Sequence, residues 1–236
     1  MPLREYRPLT REVDIGLPGE FRIAYYIVCE GQNTEWTYFT WICNSKRQLG
    51  IHNAINIVPL EKTGEHQGWS NPKKLFELAE QKRKELKETE NSTYTEDDKF
   101  VIVFDLDIYN GTEIADFIEL LTNIKQDEII VTTNPCFDMW LLLHAPNAYN
   151  NYILGDEKQI LQNSKVSLKH TYTSKKASEI LGFNTKGNFT CQPLLNTVDD
   201  AIEEEKKICE DVSVMLNQIG CNMGTFITEL RKKQFE

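Results

Sequence analysis

The chain has 236 residues and a mass of 27.4 kDa, enough to bury roughly 70–75% of its extended surface without disulfides or a structural metal. An apolar fraction of 40% and a charged fraction of 26% exclude a disordered or low-complexity architecture. With 26 Lys and Arg against 36 Asp and Glu, the formal charge of −10 excludes indiscriminate coating of nucleic acid or anionic membrane. Two routes to nucleic acid remain, a local basic patch and metal ions held by carboxylates.

The sequence contains no run of 18 apolar residues, so no transmembrane helix and no membrane partner are expected. The first 14 residues are polar and lack the apolar centre of a signal peptide. Six cysteines stand without a CxxC pair or a paired Cys/His spacing, which points to reduced thiols in a cytoplasmic protein rather than to a zinc site.

Residues 1–20, with Pro2, Pro8 and Pro18, read as an irregular lead-in. Residues 22–29 form a short β-branched and aromatic run that suits a strand buried on both faces. Thr34 is placed to cap a helix over 35–48, and residues 54–60 read as a second strand. A polar loop with Trp69 follows, then a helix from Pro72 to about 88. Residues 99–104 are the clearest strand, ending in Asp105-Leu106-Asp107, with a turn at Asn110-Gly111. A helix capped by Thr112, a strand over 128–133 and a helix over 136–144 complete an alternating series. Alternation of this kind predicts a parallel sheet with helices on both faces. From Pro146 onward the pattern is helical, with candidates at 156–163, 175–181, 198–219 and 224–233 and no evident strand. Residues 1–145 are therefore expected to form an α/β core with its lead-in, and 146–236 a helical extension packed on it.

Charge is uneven along the chain. Ten acidic residues lie between Asp105 and Glu157 against Lys125 alone, whereas 165–186 holds Lys165, Lys169, Lys175, Lys176 and Lys186 against Glu179. Glu30 directly follows the first strand, Asp105 and Asp107 follow the third, and Asp138 lies one helical turn past the fourth. Ligand sites of open α/β sheets form beyond the carboxyl ends of the strands, where strand order reverses. If strands two and one lie to one side and three and four to the other, Glu30 faces the aspartates across that crevice. An extended Asp-x-Asp turns both carboxylates to one face, and close carboxylates repel unless a cation such as Mg²⁺ or Mn²⁺ relieves them. Each feature alone has a plainer reading. Asp-x-Asp begins turns, Glu30-Gly31 ends a strand, and Asn134-Pro135 caps and opens a helix whose positive end Asp138 stabilises.

Three motifs resemble a known family. Residues 28–39, VCEGQNTEWTYF, resemble the CEGxxTExxYF opening of RloB-like proteins. Asp105-Leu106-Asp107 resembles their acidic pair, and residues 133–144, TNPCFDMWLLLH, resemble their SNPCFExWLLLH segment. Residues 220–230, with Gly224-Thr225, loosely resemble the family's closing helix. The resemblance spans about 22–232 and departs from the pattern at Asp138, where the family has Glu. It implies a Toprim-like fold, in which Glu30 is the catalytic or metal-linked glutamate and Asp105 and Asp107 are metal ligands. It further implies a phage-defence protein of the RloB or AbiLii type, encoded beside an AAA- or ABC-type ATPase.

The expected function is that of a Mg²⁺- or Mn²⁺-dependent nuclease, an effector of abortive infection acting on DNA or tRNA. Catalysis is assigned to Glu30, Asp105 and Asp107, with the same three and Asp138 as metal ligands. Glu30 has general base as a second available role. Lys165, Lys169, Lys175 and Lys176 are the candidate nucleic-acid contacts, with Lys46 and Lys175 as further candidate phosphate contacts. His144 reads as structural. The competing class is a non-catalytic subunit that binds a nucleotide or an ATPase partner. Nucleotidyl transfer, the primase use of a Toprim core, lacks its usual zinc-binding Cys/His cluster here.

Overall fold

The computed structural model describes residues 22–62, 71–109 and 114–235. The lead-in, Trp69, the Asn110-Gly111 turn and the Thr112 cap lie outside these residues. Strand β1 (Ile23–Cys29) is followed by helix α1 (Thr34–Ser45), β2 (Ile55–Pro59), α2 (Pro72–Glu88), β3 (Lys99–Asp105), α3 (Ile114–Thr122), β4 (Glu128–Asn134) and α4 (Asp138–Leu143). The sheet order is β2-β1-β3-β4 with all three pairings parallel, as the alternating pattern predicts. A fifth strand, β5 (Gly220–Cys221), pairs antiparallel with β4 at the edge.

Alternation along the strands divides the core in two. Ile23, Tyr25, Ile27 and Cys29 of β1, with Val101, Val103 and Val131, belong to one apolar cluster together with residues of α1 and α4. Ala24, Tyr26 and Val28, with Phe100, Ile102, Phe104 and Ile130, belong to the other, with residues of α2 and α3. Both faces of these strands are thus covered, which is why the strands read as unbroken apolar runs. Tyr38, Phe39 and Trp140 are fully buried in the first cluster, so most of the aromatic content of α1 and α4 is core.

The last third of the chain continues that first cluster. It contains α5 (Glu157–Gln162), α6 (Tyr172–Leu181), α7 (Val198–Glu205) and α8 (Met223–Lys232), and Ile160, Ala177, Val198, Ala201 and Ile227 are buried in it. A π-helical turn at Tyr149–Ile153 precedes α5.

Two sequence expectations are corrected here. The helix expected over 198–219 stops at Glu205, and residues beyond it run to a 3₁₀ turn, Met215–Asn217, and then to β5. Asn134 at the end of β4 holds the later part of this segment against the sheet, its Nδ2 donating to the carbonyls of Met215, Leu216 and Gln218. Gly220 is obligatory at this crossing, because a Cβ there would lie 2.2 Å from Met215 Cγ and 2.6 Å from the Cys209 carbonyl. Asn222 extends the edge by side chain, its Oδ1 accepting from Thr132 N at 2.7 Å and its Nδ2 donating to the Ile130 carbonyl at 2.9 Å. The second correction concerns helix starts. Pro72 opens α2 as expected, with Asn71 Oδ1 accepting from Lys73 N. Thr34 does not cap α1, since its hydroxyl donates to the Thr185 carbonyl at 2.9 Å. Asn134 does not cap α4, which begins at Asp138.

Candidate functional site

The carboxyl ends of β1 and β3 lie side by side, with Cys29 opposite Val103 in the ladder. Glu30 continues the pairing one step, its amide donating to the Val103 carbonyl at 2.8 Å. Its side chain then crosses to the neighbouring strand, where Oε2 accepts from the Asp105 amide at 3.1 Å. Asp105 Oδ1 accepts from Thr133 Oγ1 of β4 at 2.9 Å. The chain turns at once: Leu106 is buried, its amide donates to the Thr133 carbonyl, and Asp107 begins a 3₁₀ turn with its amide donating to the Pro135 carbonyl at 3.2 Å. The Asp-x-Asp is therefore extended only as far as Asp105.

Glu35, for which sequence reasoning proposed no role, joins this group. It lies in the first turn of α1 and is buried, and its Oε1 accepts from the Gly31 amide at 3.1 Å. Glycine is required at 31, because a Cβ there would fall 1.9 Å from Glu35 Oε2. Four carboxyl groups thus influence one another at the strand ends. Burial, with the nearby charges of Glu35 and Asp107, raises Glu30 to about 7 against the counter-effect of the Asp105 amide and Lys62. Burial, then Glu35, Glu30 and Asp107, push Asp105 well above the usual carboxylate range. Asp107 is raised by burial, while the Asn163 side chain and Lys186 favour its charged form. Burial likewise raises Glu35, with Lys186 opposing.

Two lysines counter this charge. Lys62 donates from Nζ to the Glu30 carbonyl. Lys186 pairs with Asp138 Oδ2 at 2.6 Å. Burial opposes the Lys186 charge, but Asp138, Cys136 and Glu35 outweigh it and raise its pKa.

The sequence-predicted residues separate into three groups. Glu30, Asp105 and Asp107 stand at the adjoining carboxyl ends of β1 and β3, the switch of strand order. Asp138 has a different neighbourhood from that of a metal ligand: it is fully buried, with Oδ1 accepting from Thr185 Oγ1 and Oδ2 paired with Lys186. The lysines of the basic stretch diverge. Lys165 and Lys169 are exposed on a turn closed by an antiparallel bridge from Lys165 to Thr171. Lys175 is exposed and pairs with Glu179 at 3.7 Å, whereas Lys176 is committed to Asp156 and lies over the Tyr172 ring. Lys46 Nζ donates to the Ile55 carbonyl, and His144 is buried with Nδ1 2.9 Å from Thr197 Oγ1, a structural placement.

The donor chemistry at the strand ends, hard carboxylate oxygens that raise one another's proton affinity, suits Mg²⁺ or Mn²⁺. Among the described residues, no three His, Cys, Asp or Glu side chains are drawn up around one point as a bound ion would need. Among the described residues no helix is long and apolar enough to cross a membrane.

A family model described as RloB-like protein matches residues 25–230. No curated protein and no solved structure matches the chain.

Proposed function

The chain belongs to the RloB-like protein family, and on that premise we propose that it is a metal-dependent nuclease that hydrolyses phosphodiester bonds of DNA or tRNA as an effector of phage defence. The observation that carries this reading is the Glu30 side chain reaching the Asp105 amide across the β1–β3 switch, with Asp107 and Glu35 close enough to perturb both. Glu30, Asp105 and Asp107 would hold Mg²⁺ or Mn²⁺. The ion, when bound, supplies charge that polarises the phosphate and acidifies an attacking water. Glu30 would either ligate the ion or take the proton of the attacking water, and Glu30→Gln removes the base and the charge of the ligand. Asp138, the fourth expected ligand, has both carboxylate oxygens engaged by Thr185 and Lys186.

The defence role and an AAA- or ABC-type ATPase partner follow from the family resemblance. They agree with the charge of the chain. A net charge of −10 opposes unaided capture of a phosphate backbone, so a latent enzyme that gains activity on docking is the natural arrangement. Lys165, Lys169 and Lys175, exposed along one stretch, would guide the strand. The test is cleavage of duplex DNA, single-stranded DNA and tRNA in Mg²⁺ or Mn²⁺, with and without the neighbouring ATPase, by wild type and Glu30→Gln. Cleavage by wild type that EDTA and Glu30→Gln both abolish supports the reading. No cleavage by wild type under any of these conditions, or growth inhibition in cells that Glu30→Gln leaves intact, favours a binding subunit instead.

A further inference from the structure

Phosphate must enter a site crowded with carboxylates, and an anionic group does so only where positive charge offsets them. Lys186 stands on a loop held on several sides. Thr185, fully buried, donates from Oγ1 to Asp138, receives the Thr34 hydroxyl on its carbonyl at 2.9 Å and donates from its amide to Ser178 Oγ at 3.1 Å. The Lys186 amide donates to Asn184 Oδ1 at 3.0 Å. The result is an ammonium pinned at 2.6 Å to a carboxylate with no exposure, on a side chain that keeps 30% of its own. Thr34 immediately precedes Glu35 in α1, and the Asp107 amide donates to the Pro135 carbonyl three residues before Asp138, so the Thr185 loop and the Lys186–Asp138 pair are tied by hydrogen bonds to both sides of the carboxylate group.

We propose that Lys186 is the phosphate-contacting residue of this site. It donates from Nζ to a non-bridging oxygen of the scissile phosphate, and Asp138 and Thr185 are the residues that position it. The inference rests on the reading of the site as a phosphodiester hydrolase. In that reaction the water oxygen forms a new bond to phosphorus and the ester P–O bond breaks. The leaving oxygen departs with the electron pair, the proton lost by water passes to solvent or to a carboxylate, and Lys186 keeps its own proton throughout. A lysine serving only as counter-ion to Asp138 would support folding and make no contribution specific to the anionic substrate.

The test uses full-length protein, Mn²⁺ and the chromogenic diester bis(4-nitrophenyl) phosphate. Wild type, Lys186→Met, Lys186→Arg and the double variant Lys186→Met with Asp138→Asn are compared by calorimetric Mn²⁺ titration and by hydrolysis. The double variant removes the Asp138 carboxylate that Lys186→Met alone would leave buried and unpaired, and circular dichroism checks that each variant is folded. Loss of one preorganised donor is expected to lower kcat/KM by about 100-fold or more in both Met variants, as for donors that stabilise developing charge in other enzymes. Mn²⁺ affinity should be retained or tightened, because a competing cation is gone, and Lys186→Arg should recover a measurable part of the rate. Hydrolysis by the Met variants close to that of wild type, with Mn²⁺ bound, overturns the inference and leaves the proposed function standing. Loss of Mn²⁺ binding together with hydrolysis also overturns it, by making Lys186 a support of the metal site. Wild type that neither binds Mn²⁺ nor hydrolyses the diester overturns the nuclease reading, and the inference falls with it.

Discussion

The Glu35 carboxylate occupies the space that a side chain at Gly31 would need, and the Gly31 amide donates to it at 3.1 Å. Glycine after Glu30 is thus a packing requirement of a buried acid four residues later, and the CEGxxTE pattern is one local device. It turns the chain out of β1, seats Glu35 under the turn and leaves Glu30 aimed at β3.

Gly31→Ala should therefore lower stability by about 1–3 kcal/mol, the usual range for displacing a buried hydrogen-bonded group. For a chain of this size that is a fall in Tm of roughly 2–12 °C. Thermal denaturation in a double-mutant cycle with Glu35→Ala checks the cause. Removing the carboxylate should make Ala at 31 nearly harmless, and an equal loss in both backgrounds would show that Glu35 is not the obstacle.

Arg83 ties α2 to the opposite end of the sheet. Its Nε pairs with Asp127 at 2.8 Å and a terminal nitrogen with Glu128 at 2.9 Å, with a further pair to Glu80, while the guanidinium lies 4.6 Å from the Phe100 ring centroid. Arg83 and Glu128 are buried, so Arg83→Ala should cost about 3–5 kcal/mol, the range for breaking a buried pair from one side. Chemical denaturation measures this. A loss below about 1 kcal/mol, typical of exposed pairs, would contradict it. Arg83→Ala should not alter metal affinity, because this network lies at the amino ends of β3 and β4, away from the site.

Two buried groups set opposing pH trends. Burial lowers His144 to about 3. The unfolded chain takes up that proton first as pH falls below about 6.5, so stability conferred by neutral His144 is lost on acidification. Glu205 is raised to about 7 by burial, despite the amides of Gly224 and Thr225 that donate to it at the start of α8. Here the folded state holds the proton more tightly, so stability declines as pH rises from about 4.5 to 7 and is level above that. Each slope is at most about 1.4 kcal/mol per pH unit. In urea titrations across pH 4–8, Glu205→Gln should flatten the decline toward neutrality, and His144→Gln should flatten the decline toward acid. Unchanged profiles would show that neither group titrates as its surroundings require.

The sheet was legible because its strands carry apolar side chains on both faces, whereas the adjacency of β1 and β3 entered only as a condition, which the strand order meets. Glu30, Asp105 and Asp107 could be singled out because Glu30 directly follows β1, Asp105 closes β3 and Asp107 stands two residues further on. Glu35 was visible as a motif letter, but a helical glutamate reads as solvent-facing until its Gly31 partner is seen. Lys186 was hidden by distance in sequence, since Asp138 and Thr34 fix its loop from 47 and 151 residues away through Thr185. The broken 198–219 segment was misread because its amphipathic spacing suits a helix, while the Asn134 side chain that captures its carbonyls lies in β4.

The central claim is that Glu30, Asp105 and Asp107 form a divalent-cation site. Its most direct measurement is the thermal shift produced by Mn²⁺ in wild type and in Asp105→Asn with Asp107→Asn, at equal protein concentration and ionic strength. A ligand at about 100 times its Kd adds about 2.7 kcal/mol, which for a chain of this size is roughly 5–11 °C. Wild type should gain a shift of that order, and the double variant should gain almost none while melting at or above the wild-type temperature without metal, because the repulsion among the carboxylates is relieved. The same Mn²⁺ shift in both proteins, or none in wild type, would contradict the account.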